Sequence, residues 1–380
     1  MAYGLGLAFG LLTITGCIHW IVAAWLIGRL GRETPPASVP DTPVVILKPL
    51  HGAEPGLREN LMSFISQDYA GPTTVVFGVQ DPHDPAIPIV EDIIRTTPER
   101  GMTIVVDSRQ HGSNPKISNL INMISKVPDA IVVLADSDIR VERDYLSRIA
   151  ATLQRPGVGA VTFAYHGRAT QALWSRLSSA AIDGHFLPNV IVGVLTGLAA
   201  PCFGATIALR GDVLDRIGGF AAFSNVLADD YAIGRAVRRL GLTVEVSLSP
   251  VTHMCNEATL GELVAHEIRW AKTVANVDRI GFLGSGITHV IPLSVVTAVL
   301  LKSPPGILLI VATFLCRCLL LQAVARRFNV KSVSVWLLPI RDFFSFYIYL
   351  ISFLPSRVRW KGRDFMIEAD GSMIARRGSK

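Results

Sequence analysis

Three groups of acidic residues stand at the ends of predicted secondary-structure elements. The first, Asp136-Ser137-Asp138, directly follows Ile131–Ala135, an apolar run of the kind found in buried parallel strands. Ligands of open α/β sheets bind just beyond the carboxyl ends of the strands. Two carboxylates at such a place suit a divalent cation, Mg²⁺ or Mn²⁺, that bridges to a substrate diphosphate. The alternative is a solvated turn after the strand.

A second acidic group follows the strand predicted over 74–79. Asp81 is placed to accept hydrogen bonds from a nucleobase or a ribose, and Asp84 either shares this role or caps the helix that follows. Lys116 stands at the start of another predicted helix, where an ammonium and the helix N-terminus together suit nucleotide phosphates. An ordinary N-terminal turn is the alternative for Lys116.

A third acidic group opens the helix predicted over 228–240. Capping is the better interpretation of Asp229, whereas Asp230 is a candidate general base that deprotonates an attacking hydroxyl. Further along the chain, Arg269 is able to neutralise charge on a leaving diphosphate, and Trp270 offers a stacking or acceptor-facing surface.

A regular alternation of strands and helices would position these groups. Strands alternating with helices predict parallel βαβ units and an α/β fold, here over 44–282. The predicted strands cover 44–47, 74–79, 103–106, 131–135 and 159–163, and the predicted helices cover 57–67, 87–96, 117–124, 143–153 and 228–240.

The chain as a whole is too apolar for an ordinary soluble protein, so part of it should lie in lipid. Half of the 380 residues are hydrophobic and 17% are charged. The sequence predicts a retained transmembrane anchor over 1–30, because it lacks a basic start and a cleavage site, and a linker over 31–43. Membrane segments follow over 283–355, with a basic cytoplasmic tail over 356–380.

Two apolar stretches need separate interpretations. A helical hairpin is predicted from 287–301 and 306–321, and a re-entrant or interfacial segment from 333–354, which contains Arg341 and Asp342. Charges at that depth should pair, face protein or lie near the interface. The run over 190–208 is interpreted as the buried floor of an acceptor site in the catalytic domain.

The distribution of charge and cysteine restricts the class of partner and the compartment. The net charge is +6, and the basic surplus flanks the apolar segments, which places that face and the catalytic domain in the cytoplasm, beside anionic lipid. No aromatic-interleaved basic stripe accompanies it, which argues against nucleic acid. The five cysteines form no CxxC pair and have no histidine at metal-binding spacing, which fits a reducing compartment without structural disulfides.

The order of these groups resembles the D, D, D, (Q/R)xxRW pattern of inverting family 2 type glycosyltransferases with a GT-A fold. The chain is most similar to the ceramide glucosyltransferase family, and within it to bacterial relatives associated with hopanoid biosynthesis. The resemblance covers nearly the whole chain. The matching segments are 79–81 with 84–86, 114–120, 136–141, 218–220 and 229–231.

The resemblance implies a role for each matching residue. One set of side chains, listed next, would bind the nucleotide sugar, and Asp136 and Asp138 would hold the metal. Asp230 would be the base, and Arg269 with Trp270 would close the site. The nucleotide-sugar set is Asp81, Asp84, Lys116, Asp136 and His266. The acceptor side would hold His185 and Asp229, and a histidine that only packs in the core is the alternative for His185. His266 departs from the pattern, which has Gln or Arg there, and its charge depends on pH.

The function that the resemblance implies is an inverting, metal-dependent transfer of a sugar from a UDP-sugar to a lipid hydroxyl at the bacterial inner membrane. A hopanoid polyol receiving N-acetylglucosamine is the favoured acceptor, and glucosylation of ceramide is the alternative. A processive polysaccharide synthase would need a longer transmembrane channel. Retention of all three acidic groups argues against an inactive membrane scaffold.

Overall fold

The chain forms two compact units in the structure, which is a computed structural model. The sheet unit comprises Arg32–Tyr165, Ala200–Met254 and Trp360–Lys380, and the helical unit comprises Met1–Gly31, His166–Ala199 and Cys255–Arg359. The structure describes residues 1–31, 41–124, 127, 129–170, 173–330 and 335–354, with the backbone alone of 358–360, 363–367 and 373–375.

Eight strands form one mixed sheet in the order β3-β2-β1-β4-β7-β6-β8-β5. Their bounds are β1 Val44–Pro49, β2 Thr73–Val79, β3 Gly101–Val106, β4 Ile131–Ala135, β5 Ile139–Arg140, β6 Val158–Ala169, β7 Thr206–Arg210 and β8 Thr243–Cys255. Strands β3, β2, β1 and β4 are parallel to one another, whereas β7 is antiparallel to both β4 and β6. The α/β prediction and all five predicted strands are confirmed.

The five helices that the sequence pattern predicts in the sheet unit are present, with ends that differ by a few residues at most. The structure has these and further α-helices in the described part of the chain. Their bounds are α1 Ala2–Arg29, α2 Leu57–Ile65, α3 Ala86–Thr96, α4 Pro115–Met123, α5 Tyr145–Leu153, α6 Leu173–Ala181, α7 Leu187–Leu195, α8 Gly211–Arg216, α9 Asp229–Arg239, α10 Leu260–Val277, α11 Arg279–Gly284, α12 Val290–Leu301, α13 Pro304–Phe328 and α14 Leu338–Ser352. A π-helix spans Ile182–Phe186, and short 3-10 turns span Phe220–Phe223, Ser285–Thr288 and Val335–Leu337.

The central position of β4 explains its sequence. All five of its residues are buried, because β1 and β7 flank it and helices cover the sheet. Since β1, β2 and β4 run parallel, their carboxyl ends lie at one edge of the sheet. That edge therefore carries both Asp81, after β2, and Asp136, after β4.

In the helical unit, α1 packs closely against the chain that leads into α12. A Cβ atom at Gly16 would lie 2.0 Å from the carbonyl oxygen of Ile287, so only glycine permits this approach. One helical turn further on, Trp20 is fully buried and its indole N–H donates to the carbonyl of Thr288 at 2.9 Å. A tryptophan buried in this way needs such a partner.

Three helices in the described part of the chain are long and apolar enough to cross a membrane, namely Ala2–Arg29, Pro304–Phe328 and Val335–Ser352. A fourth span is formed if Arg279–Thr288 and Val290–Leu301, which meet at a 64° bend, are taken together. The predicted hairpin is confirmed as α12 and α13, which pack against each other. Whether 335–352 crosses the membrane or re-enters stays a prediction.

The prediction that 190–208 forms the buried floor of an acceptor site is wrong for 195–200, which is exposed. Helix α7 ends at Leu195, the chain is exposed from 195 to 200, and 206–210 forms β7 in the centre of the sheet. Gly197 adopts a φ of 70°, which turns the chain out of the helix. An apolar run without clear periodicity does not tell helix from strand, and this one contains the end of a helix, a turn and a strand.

Two predicted segments fall largely outside the described residues. Most of the predicted linker over 31–43 does so, because 32–40 are not described. In the predicted basic tail, the described backbone forms a three-stranded sheet in the order β11-β10-β9, with β9 Val358–Trp360, β10 Arg363–Ile367 and β11 Met373–Ala375.

Candidate active site

The sheet unit brings Lys116 into contact with two of the predicted acidic groups. Its Nζ lies 2.6 Å from Oδ1 of Asp136 and 3.9 Å from Oδ2 of Asp229, and only 14% of the side chain is exposed. Asn114 caps α4 by accepting from the N–H of Ile117, which fixes the first turn that carries Lys116. Burial lowers the pKa of Lys116, but the carboxylates of Asp136 and Asp229 outweigh it and raise the pKa overall.

Asp229 does not cap α9, which corrects the sequence-based interpretation. The N-cap is Ala228, no side chain caps this helix, and Asp229 is its first residue. Its side chain is buried, and Oδ2 has no hydrogen-bond partner among the described residues. Burial raises the pKa of Asp229 to about 6; Lys116 opposes this rise, and Asp230 and Asp136 add to it. The side chain therefore lies in the charged cluster, with Oδ2 3.9 Å from Nζ of Lys116.

Asp230 is held by backbone donors beside the same cluster. Oδ2 accepts from the N–H of Gly204 at 2.8 Å, and Oδ1 accepts from the N–H of Tyr231 at 2.7 Å. A Cβ at position 204 would lie only 3.0 Å from that Oδ2, so glycine allows the close approach. Burial raises the pKa of Asp230, although both backbone bonds lower it. A fixed carboxylate of raised pKa has the properties of a general base.

The second acid of the loop, Asp138, offers an oxygen for a cation. Its Oδ1 is inaccessible to solvent and has no hydrogen-bond partner among the described residues, while Oδ2 lies 3.8 Å from Nδ1 of His253. The described chain contains no group of three or more His, Cys, Asp or Glu side chains arranged to bind a metal by itself. A Mg²⁺ or Mn²⁺ ion takes few protein carboxylates and completes its shell with phosphates and water. Asp136 and Asp138 fit such an ion.

Two charged residues of this region escaped the sequence analysis. Lys48, inside β1, is fully buried; its Nζ donates to the carbonyl of Asp136 at 2.5 Å and lies 3.9 Å from the centre of the Phe64 ring. Burial lowers the pKa of Lys48 to about 7 against the effect of the nearby carboxylates. Glu54 accepts from the Ser137 hydroxyl at 3.5 Å, and burial, followed by Asp138 and Asp136, raises its pKa to about 7.

The two acids that follow β2 have different surroundings. Asp81 is exposed at the edge of the sheet, and its Oδ1 accepts from the N–H of His83 at 2.9 Å. Asp84 is buried; both of its oxygens accept from the N–H of Gly52 at 3.0 Å, and Oδ1 also accepts from Ala86 at the start of α3. The geometry thus favours the structural alternative for Asp84 and leaves Asp81 open to a ligand.

In the helical unit, α10 carries His266, Arg269 and Trp270. Nδ1 of His266 lies 2.6 Å from Oε1 of Glu257, and its ring meets the Trp270 ring edge-on, with centroids 4.3 Å apart. Glu257 is buried and also accepts from Ser178 at 3.0 Å. Burial raises the pKa of Glu257, but the bond and charge of His266, a backbone hydrogen bond and the bond from Ser178 together lower it overall. Nδ1 of His266 is therefore already bonded to Glu257.

A second ion pair anchors the same helix. Arg341 of α14 donates through both terminal nitrogens to Glu267, at 2.7 Å and 2.6 Å, and its side chain is 3% exposed. Planar bidentate pairs of this kind fix orientation as well as distance. Glu267 lies two residues before Arg269, so this pair sets the rotation of the turn that carries Arg269. The expectation that Arg341 would pair or face protein is confirmed.

His185 lies in the π-helix and contacts a buried ion pair of the membrane-type helices. Arg317 is held by Asp342 through two bonds of 2.9 Å, donates to the carbonyl of Gly184 at 2.7 Å, and has Nη2 3.2 Å from Nδ1 of His185. Because the guanidinium only donates, Nδ1 accepts. Burial, followed by Arg317, lowers the pKa of His185. The neutral ring thus carries its proton on Nε2, which lies 3.9 Å from Oδ1 of Asp342 and makes no hydrogen bond among the described residues.

Comparisons with known proteins agree with this architecture. The chain is 25% identical to ceramide glucosyltransferase 1 of Caenorhabditis elegans over 274 residues, which cover 70% of this chain and 58% of that one. It is 24% identical to ceramide glucosyltransferase 3 of the same organism over 265 residues, 67% and 55% of the two chains. The chain thus spans a little over half the length of these relatives.

Among solved structures, the mannosyltransferase PcManGT of Pyrobaculum calidifontis in complex with GDP-Man and Mn²⁺ superposes with a TM-score of 0.50. The match covers 93% of this chain and 97% of that one at 19% sequence identity. This likeness supports the GT-A fold, with a mostly parallel α/β sheet. A family model, glycosyl transferase family 21, matches residues 8–373, and the chain therefore belongs to that family.

Proposed function

We propose that this protein is a membrane glycosyltransferase that moves a sugar from a UDP-sugar to the hydroxyl of a lipid. One observation carries the proposal: the acidic loop after β4, Lys116 and the Asp229–Asp230 pair converge at the ligand-binding edge of a GT-A sheet. Apolar helices in the same chain explain how a lipid acceptor would reach the enzyme without leaving the bilayer. Family membership and the named relatives support the same reaction class.

In the proposed reaction, Asp230 takes the proton of the lipid hydroxyl. The two backbone N–H groups that hold its oxygens fix the carboxylate, and its raised pKa makes it a better proton acceptor than an ordinary aspartate. The hydroxyl oxygen attacks the anomeric carbon from the side opposite the diphosphate, and the bond to the diphosphate breaks. Such a single displacement inverts the configuration, giving a β-glycoside from an α-linked donor.

Negative charge grows on the leaving diphosphate, and cationic groups would stabilise it. A divalent ion, when bound, supplies Lewis-acid stabilisation of that charge, and Asp136 and Asp138 would hold it. The Mn²⁺ in the mannosyltransferase complex is in keeping with this assignment. Lys116 brings a second positive charge, set 2.6 Å from Asp136.

The remaining assignments rest on the family resemblance. Asp81 is proposed for the nucleotide, Arg269 for the leaving diphosphate, Trp270 for closing the site, and His185 for the acceptor. Because Nδ1 of His266 is bonded to Glu257, this proposal gives His266 the role of stabilising α10 rather than of binding a phosphate. The placement of the catalytic domain at the cytoplasmic face of a bacterial inner membrane stays a prediction.

The names of the relatives favour ceramide as the acceptor and glucose as the sugar. This reverses the preference that the sequence resemblance suggested, in which a hopanoid polyol receives N-acetylglucosamine. The hopanoid reaction stays a prediction and is kept as the alternative.

Product analysis by mass spectrometry tests the proposal. Purified protein receives UDP-glucose and UDP-N-acetylglucosamine together, a mixture of ceramide and hopanoid polyol, and Mg²⁺ or Mn²⁺. We expect a hexosylceramide that is absent with Asp230→Asn. An N-acetylhexosaminyl hopanoid would replace ceramide by the alternative acceptor, and the absence of any glycolipid under all conditions would refute lipid glycosylation.

A further inference from the structure

The acidic loop, defined as Asp136–Asp138, is held by its carbonyl oxygens. The carbonyls of Asp136, Ser137 and Asp138 accept hydrogen bonds from Nζ of Lys48 at 2.5 Å, from Nδ2 of Asn60 at 3.2 Å and from the N–H of Met254 at 2.8 Å, respectively. The carbonyl of Asp136 also accepts a longer bond of 3.4 Å from the N–H of Ile139. Loops normally satisfy their carbonyls with water or with their own backbone. Here two of the four donors are side chains of β1 and α2, far away in the sequence.

Lys48 is unusual because its ammonium lies entirely inside the protein. Its side chain has no exposed surface, and its cation stacks on the Phe64 ring. Burying an ammonium costs several kcal/mol unless it is compensated. A methionine would fill the same space without that cost, so the lysine is distinguished by its bond to the loop and by its charge beside the carboxylates of Asp136, Asp138 and Glu54. Complete burial also keeps Nζ away from any ligand, so Lys48 must act through the loop.

Asn60 repeats this arrangement from the neighbouring helix. It is fully buried, donates to the carbonyl of Ser137, and accepts from Nε of Arg140 at 3.2 Å. One helical turn further on, the Ser63 hydroxyl accepts from the N–H of Val141. Helix α2 therefore braces the chain on both sides of Asp138.

We propose that Lys48 and Asn60 are positioning residues that hold the acidic loop so that Asp136 and Asp138 present their carboxylates to a divalent cation and a nucleoside diphosphate. The inference rests on the proposed function. Partners of this kind, which orient ligands without touching the metal, are typically worth 10- to 100-fold in metal affinity. A loop without these two side-chain donors would keep its carboxylates but lose their common orientation.

The test measures binding of Mn²⁺ and UDP to the purified full-length protein, by calorimetry and by electron paramagnetic resonance of Mn²⁺. The variants are Lys48→Met, which keeps the side-chain volume, and Asn60→Leu. Leu61→Val is the matched control, because Leu61 is fully buried on the same helix and is not a donor to the loop. Thermal unfolding is recorded for all of them, so that a general loss of stability is seen separately.

We expect both variants to bind Mn²⁺–UDP at least about tenfold more weakly, with a changed Mn²⁺ spectrum. Their affinity for UDP in the presence of a chelator should equal that of the wild type. Wild-type Mn²⁺–UDP affinity in both variants, or an equal loss in Leu61→Val, would overturn the positioning role. If the wild-type protein itself binds neither Mn²⁺ nor UDP, the proposed function fails, and this inference fails with it.

Discussion

Replacing Asp342 by leucine should destabilise the helical unit strongly. The carboxylate is fully buried and accepts from Nε and Nη2 of Arg317 at 2.9 Å each, and the arginine side chain is 1% exposed. In the Asp342→Leu variant the guanidinium would stay buried without its counter-ion. Removing one partner of a buried pair costs about 3–5 kcal/mol, which is a change of about 10²–10⁴-fold in the unfolding equilibrium.

The bonds from Arg317 to Gly184 and His185 persist in that variant, so we expect a value near the lower end of this range. The double variant Arg317→Leu, Asp342→Leu buries no charge. It should therefore be less destabilised than either single variant, although it also loses the bond to the Gly184 carbonyl. This non-additivity is the signature of a coupled buried pair.

The assay is equilibrium unfolding in mild detergent by titration with dodecyl sulfate, followed by tryptophan fluorescence. Asp92→Leu is the matched control, because Asp92 pairs with Arg58 at 2.6 Å on the exposed surface and should matter little. An Asp342→Leu variant as stable as the control, or a double variant that equals the sum of the two singles, would show that the pair contributes no coupling energy.

Three further predictions concern charge in the two units. Asp230→Asn should keep UDP binding and lose turnover by about 10²–10⁴-fold, and near-normal turnover of the variant would exclude this base. Burial raises the pKa of Asp230, and the base must be ionised to act. Wild-type activity should therefore begin to fall, as the pH is lowered, at a higher pH than the titration of an ordinary aspartate would give. Lys116→Met removes the ammonium beside Asp136 and should weaken UDP binding by about tenfold, the effect of losing a charged hydrogen bond. Calorimetry measures the affinity for UDP, and an unchanged affinity would contradict this prediction. Burial raises the pKa of Asp183 to about 7, although the N–H of Gly167 donates to it, so the folded state holds a proton that the unfolded chain has lost. The free energy of unfolding should therefore fall as the pH rises from about 4 to 7. Asp183→Asn should flatten this dependence in thermal scans at pH 5 and pH 8, and the same dependence in variant and wild type would contradict the prediction.

The rival functions make different demands on the same residues. An inactive membrane scaffold would bind lipid without releasing UDP and would tolerate substitution of Asp230. A processive polysaccharide synthase would elongate a polymer, and its product would differ in mass from a glycolipid carrying one sugar. The product analysis separates both rivals from the proposed reaction.

Much of the fold followed from local sequence patterns. The parallel strands β1 to β4 and the helices between them were predicted because buried strands read as continuous apolar runs and their helices as amphipathic ones. The position of Asp136 at a ligand-binding edge follows from the same pattern, since a parallel strand that ends in acids must present them there. The apolar spans near both ends required only their length and composition.

The tertiary structure decided what local patterns do not encode. It inserted the antiparallel strand β7 beside β4, which brings Gly204 to Asp230. It placed the carboxylate of Asp229 beside Lys116, with Oδ2 3.9 Å from Nζ, because α4 and α9 meet only in the folded chain. It also placed Lys48, which in the sequence is only one polar residue within a strand, beneath the acidic loop, because such partners meet only when distant elements pack together.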